Sequence, residues 1–148
     1  MDVLQMILER KVMSMWFYVS SDQTEIQAEE VIRLLRQSYW AAERSEQSIR
    51  KSIQHSLCFG AYLADTRQQI AFGRVLTDYA VNYYLCDVIV DTAYRGRGVG
   101  RALVEGIFFD ARLKNLKGIL SSRDARGLYE KYDFHVENDR FMIRWPEN

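Results

Sequence analysis

The 148-residue sequence is poor in the residues that staple or break a chain and has no net charge. It has two cysteines, Cys58 and Cys86, each inside an apolar run, so a disulfide framework and a cysteine-based metal cluster are excluded and no metal is expected. Buried free thiols are the ordinary reading of both. The single proline, Pro146, lies next to the end of the sequence, and no Pro/Gly/Ser-rich stretch, repeat or low-complexity segment divides what precedes it. One domain over 1–148 is the expectation, with 1–13 a weakly amphipathic extension. Lys+Arg and Asp+Glu both number 20, so no net field draws the chain to nucleic acid or anionic lipid. No apolar run approaches a membrane span, and Glu9, Arg10 and Lys11 interrupt the N-terminal one, so neither a membrane partner nor a secretory signal is expected and a cytoplasmic location is.

What is present is concentrated at Arg95-Gly96-Arg97-Gly98-Val99-Gly100-Arg101, between the apolar run Tyr83 to Val90 and a helical pattern from Val99 to Leu113. Alternate glycines let backbone amides face outward, arginines add charge, and a helix N-terminus supplies unsatisfied donors. The stretch therefore suits phosphate, with a glycine-rich helix cap as the plainer alternative. Arg101-Ala102 after the last glycine excludes a nucleoside triphosphatase loop, and Leu103 disfavours a dinucleotide fingerprint.

The remaining pattern, Arg95-x-x-Gly98-x-Gly100, resembles the loop of the GCN5-related N-acetyltransferase (GNAT) family. Ser122-x-x-Ala125-x-x-Leu128-Tyr129-x-x-x-Asp133-Phe134 is similar to a second pattern of that family, with Ser122 where Asn is usual and Asp133 where Gly is usual. Aspartate tolerates a left-handed backbone, so the turn at 133 should survive. The resemblance covers residues 83 to 134. It implies an α/β GNAT fold, a mixed and mostly antiparallel sheet of about seven strands with about four helices. It also implies acetyl-coenzyme A as co-substrate, with its pyrophosphate on residues 96 to 101, Arg95 at the loop start and a side-chain contact from Ser122 beside Ala125. The pantetheine arm would lie along Val88, Ile89 and Val90. Tyr129 matches the family's proton donor to the departing thiolate; a core tyrosine is the alternative.

Along the chain the elements read as a strand Met15 to Val19, a possible capping box Thr24-x-x-Gln27, and a first helix with Val31, Ile32, Leu35 and Tyr39. A second helix starts near Ser45, and strands follow at Leu57 to Leu63, Ile70 to Thr77, Tyr83 to Val90 and Gly118 to Leu120. A short helix through Tyr129 and a last strand Phe141 to Trp145 complete the order. Tyr39 and Trp40 are either an acceptor wall or a core seal. Asp87, the one charge in its strand, is the first candidate to take the amine proton, with Asp78 and Asp91 behind it and a structural role for Asp87 equally open. The function expected is transfer of an acetyl group to a primary amine, on a small molecule or peptide, by direct attack on the thioester; neither cysteine has a His partner for a covalent route. The alternative is an acyl-coenzyme A-binding regulatory module, and a homodimer is left open.

Overall fold

The computed structural model describes residues 16–147. The 1–13 extension and the start of the predicted first strand at Met15 lie outside them. Five strands run β1 (Phe17–Ser20), β2 (Leu57–Leu63), β3 (Gln69–Thr77), β4 (Asn82–Val90) and β5 (Lys117–Leu120), in that same order across one sheet. The first three pairings are antiparallel, and β4 with β5 is parallel, the two joined by a crossover through a helix. This is the mixed, mostly antiparallel α/β sheet expected.

Four helices cover the sheet: α1 (Ala28–Leu35) and α2 (Glu46–Gln54) on one face, α3 (Val99–Phe108) and α4 (Arg126–Glu130) on the other. Val31, Ile32, Leu34 and Leu35 recur on one side of α1 and meet Ile49 of α2 over Cys58, Phe72 and Ile89. On the opposite face Leu103, Val104 and Ile107 of α3 close over Phe59, Ala71 and Leu85. Both faces of the middle strands are thus buried, which is why β2 and β4 read as nearly unbroken apolar runs.

Four local expectations are corrected. No capping box forms at Thr24, because Gln27 pairs instead with Gln69, each side-chain oxygen accepting from the other's backbone amide at 2.9 and 3.1 Å. Helix α3 stops at Phe108 and not near Leu113, since Asp110 turns the chain: its backbone oxygen accepts from Leu113 and Lys114 and its carboxylate from the Arg112 amide. Ala111, inside the helical pattern expected from Val99 to Leu113, is therefore exposed and outside the helix. Residues 141–147 form no strand; Met142 is 92% and Trp145 78% exposed, and no described residue pairs with the outer edge of β5. Alternating β-formers become a strand only where another edge accepts their hydrogen bonds.

Candidate active site

The site begins where two strands part. β5 pairs with β4 from Asn82↔Lys117 to Leu85↔Leu120 and then ends, while β4 runs on to Val90 bonded to β3 alone. A wedge opens there, and one edge of Cys86–Val90, with the expected Val88, Ile89 and Val90, faces it without a strand partner. A main chain in this position offers fixed donors and acceptors to an extended ligand, as a sheet edge does to an added strand.

A bulge sits in the same segment. Phe72 pairs with Ile89 but Arg74 with Cys86, so Asp87 and Val88 together oppose Gly73, and Asp87 takes φ +58°. The extra residue puts Cys86 and Asp87 on the same face, toward α1 and α2. There the buried Asp87 carboxylate accepts from Arg44 Nη1 (2.7 Å), Arg74 Nε (2.9 Å) and Trp40 Nε1 (3.0 Å). Burial alone would raise its pKa, but the two guanidiniums outweigh that and hold it below the ordinary carboxylate range. Its expected service as a proton acceptor does not fit this geometry, since every bond stabilises the charged form. The structural alternative fits, through two arginines and an indole.

The two lesser acids are engaged as well. Asp91 ties the loop to α1: its carboxylate accepts from the Ala93 amide (3.0 Å) and pairs with Arg33 (2.8 Å). Asp78, expected near the acceptor, lies in the β3–β4 turn at the far end of β4, where its carboxylate accepts from the amides of Ala80, Val81 and Asn82. The site is thereby corrected to exclude it: Asp78 precedes the start of β4, and five residues at about 3.3 Å each separate Asn82 from Asp87.

After β4, a 3-10 turn (Thr92–Tyr94) leads into the glycine loop. Gly96 and Gly98 have φ +77° and +83°, values only glycine adopts readily, and nothing lies within 4 Å of where a Cβ would stand on either. Gly98 is the N-cap of α3 without any side-chain cap, and the first helical bond runs from Ala102 N to Gly98 O (3.0 Å). The amides of Val99, Gly100 and Arg101 precede that donor, the first with a helical partner, and are free for an anion. The arginines are less free than the sequence suggests: Arg95 donates to Val90 O (3.1 Å), Arg97 lies over the Tyr94 ring (5.9 Å), and Arg101 pairs with Glu105 (3.1 Å).

On the opposite bank Ser122 Oγ accepts from Ala125 N (3.0 Å), capping the turn that starts α4. Tyr129 of α4 is 8% exposed, edge-on to Phe108 and Phe134. Asp133 does adopt the left-handed conformation expected of it, φ +67°. The Tyr129 hydroxyl bonds to no described residue and is not sealed away, because among the described residues the unpartnered buried side-chain polar atoms are Arg33 Nη2 and Tyr62 Oη. Burial, with Asp124 adding to it, pushes this phenol up to about 12. A cavity of about 430 Å³ along the outer edge of β5 shares only Ser122 and Tyr129 with the site.

Tyr39 and Trp40 do not seal the core. They are 51% and 40% exposed and stack edge-on at 5.0 Å, with Trp40 bonded to Asp87 and the Arg123 guanidinium 3.8 Å over the Tyr39 ring. Arg44, Arg74 and Arg123 escaped the sequence reading. Arg74 had a signal, being the only charge in Ile70 to Leu76 just as Asp87 is in Tyr83 to Val90; Arg44 and Arg123 had none.

Comparisons with known proteins agree with this arrangement. Residues 54–136 match the family model described as an acetyltransferase (GNAT) domain. A Xanthomonas campestris pv. campestris protein assigned to the GNAT family has a similar crystal structure, with TM-score 0.82 and 34% identity over 88% of this chain and 94% of that one. Serotonin N-acetyltransferase 2, chloroplastic, of Oryza sativa subsp. japonica is 29% identical over 103 residues, 65% of this chain and 50% of that protein. Histone acetyltransferase TAP1 of Glycine max is 38% identical over 92 residues, 62% of this chain and 36% of the soybean protein. The chain thus spans half or less of the length of these plant relatives.

Proposed function

Since the chain belongs to the GNAT acetyltransferase family, we propose that it transfers an acetyl group from acetyl-coenzyme A to a primary amine by direct attack. The wedge carries this reading: an unpaired β4 edge leads straight into a loop of free amides at a helix N-terminus, and the helix after β5 adds a phenol bonded to no described residue. The residues present fit the co-substrate, because Gly96 and Gly98 leave the space above the loop empty. Acetyl-coenzyme A would supply the activated acyl group as a thioester.

The chain's own residues do the rest. Amides of residues 96 to 101 neutralise the pyrophosphate with little side-chain help, and the free edge at Val88, Ile89 and Val90 orients the arm that follows it. A fixed backbone N–H on that edge is pre-organised for negative charge on the carbonyl oxygen. Tyr129 holds a proton for the departing sulfur, and its raised pKa keeps it protonated throughout the working range. Asp87 is a positioning residue that fixes the bulge and the Trp40 wall. Direct attack also fits the cysteines: burial pushes Cys86 up to about 11 and Cys58 up to about 12, so neither is a thiolate nucleophile at neutral pH.

The test is acetyl-coenzyme A binding by calorimetry followed by coenzyme A release over a panel of amines. Binding with release upholds the reading. Binding without release on every amine would leave an acyl-coenzyme A-binding regulatory module.

A further inference from the structure

One flank of the wedge has an unbalanced charge. Asp87 Oδ2 faces two guanidiniums, Arg44 at 2.7 Å and Arg74 at 2.9 Å, so one negative charge answers two positive ones. The other Arg74 contact is neutral, Nη1 donating to Ser56 Oγ at 3.2 Å. Arg44 Nε and Nη2 have no partner among the described residues, and that side chain is 28% exposed at the mouth of the cluster. Glu43, its neighbour in sequence, is exposed and forms no ion pair with a described residue.

A third cation extends the pattern. Trp40 joins Asp87 to Tyr39, and Tyr39 carries the Arg123 guanidinium on its face. The row Arg44, Asp87, Trp40, Tyr39, Arg123 therefore runs from the β4 bulge to the connection between β5 and α4, touching both banks of the wedge. The Tyr39 ring holds the Arg123 guanidinium, whose N–H fork bonds to no described residue and is free for two oxygens, which suits carboxylate or phosphate better than any neutral group. A half-buried positive excess is costly unless an anion answers it, and it repels diamines and polyamines.

We propose that the acceptor is a primary amine bearing an anionic group, a carboxylate or a phosphate, that Arg123 receives while the amine is presented at the β4 bulge. The inference rests on the acetyl-transfer reading above. Arg123 is then the specificity residue, and Tyr39 and Trp40 are the spacer that sets the reach between anion and amine.

Matched pairs test it, each with the anion remote from the amine so that the nitrogen's basicity hardly changes. 4-Aminobutyrate is compared with its methyl ester, an amino sugar with its 6-phosphate, and both pairs with a diamine. The anionic member of at least one pair should show a kcat/KM higher by about two- to fivefold, the worth of one exposed charge contact, and the better pair identifies carboxylate or phosphate. Arg123→Gln should erase that preference by raising the anionic acceptor's KM, leaving the neutral member's KM and acetyl-coenzyme A affinity unchanged. Calorimetry of the anionic acceptor on the coenzyme A-bound protein, where no acetyl group is present, should show the same loss of affinity. Equal rates within both pairs, or a preference for the diamine, overturn the proposal while acetyl transfer stands. No release with any amine despite acetyl-coenzyme A binding overturns both.

Discussion

The two banks of the wedge are made of different materials. The coenzyme bank is backbone: an unpaired strand edge, amides at the start of α3, and glycines held at positive φ. The acceptor bank is side chain, with Trp40, Arg44, Arg74, Asp87 and Arg123 brought together from the α1–α2 connection, β3, β4 and the segment after β5. A backbone site tolerates many side chains but fixes where glycine must stand. A side-chain site fixes identities, yet its members need no particular spacing in sequence.

The sharpest way to separate the banks is at Tyr129, which serves the chemistry of both. Tyr129→Phe keeps the ring against Phe108 and removes the proton, so single-turnover acetyl transfer should fall by about 10²- to 10⁴-fold with little change in Tm. With its phenol near 12, wild-type activity should show no alkaline limb from this group below about pH 10, and a limb there would belong to another residue.

Asp87→Asn attacks the acceptor bank. It leaves two guanidiniums without a counter-charge and should cost about 3–5 kcal/mol of stability by chemical denaturation. Its folded pKa lies below the unfolded value of about 3.9, so its contribution is present above that pH and lost as pH falls through the folded value. The wild type should therefore lose its advantage over the Asn variant on acidification. A variant with unchanged denaturation and lost turnover would return Asp87 to the role of base.

Gly98→Val attacks the coenzyme bank. A β-branched residue at φ +83° costs about 1–3 kcal/mol, and the backbone shift that relieves it should weaken acetyl-coenzyme A by about five- to a hundredfold in calorimetry. Gly100 is the weaker site for this test, since a Cβ there would only touch Val90 at 3.4 Å. The smallest effect is expected from Ser122→Ala, which removes the cap on Ala125 and should cost about 1 kcal/mol of stability with modest loss of coenzyme affinity.

The same difference in material decides what the sequence made legible. The strand, loop, helix, strand order from β4 to α4, the glycine positions and the left-handed Asp133 were readable because each is a local backbone requirement tied to a residue type. Trp40 and Asp87 were legible as candidates, but their mutual bond was not, because 47 residues separate them. Gln27 was misread for the same reason, its partner Gln69 being 42 residues away and outside any capping rule. The end of α3 was lost to Asp110, which competes for backbone donors that apolar periodicity does not see.

The bulge in β4 has a consequence best put in terms of phase. Cys86 and Asp87 share a face, so the strand carries one residue more than its alternation needs; without Asp87, Leu85, Cys86 and Val88 would still fall on the same sides as they do now. Asp87 is supernumerary to the rhythm of the strand. The residue that anchors the acceptor bank is thus decoupled from the beat that places Val88 and Val90 against the α3 face. One bank can be re-specified, by changing the occupant of that extra position and the side chains around it, while the other keeps time.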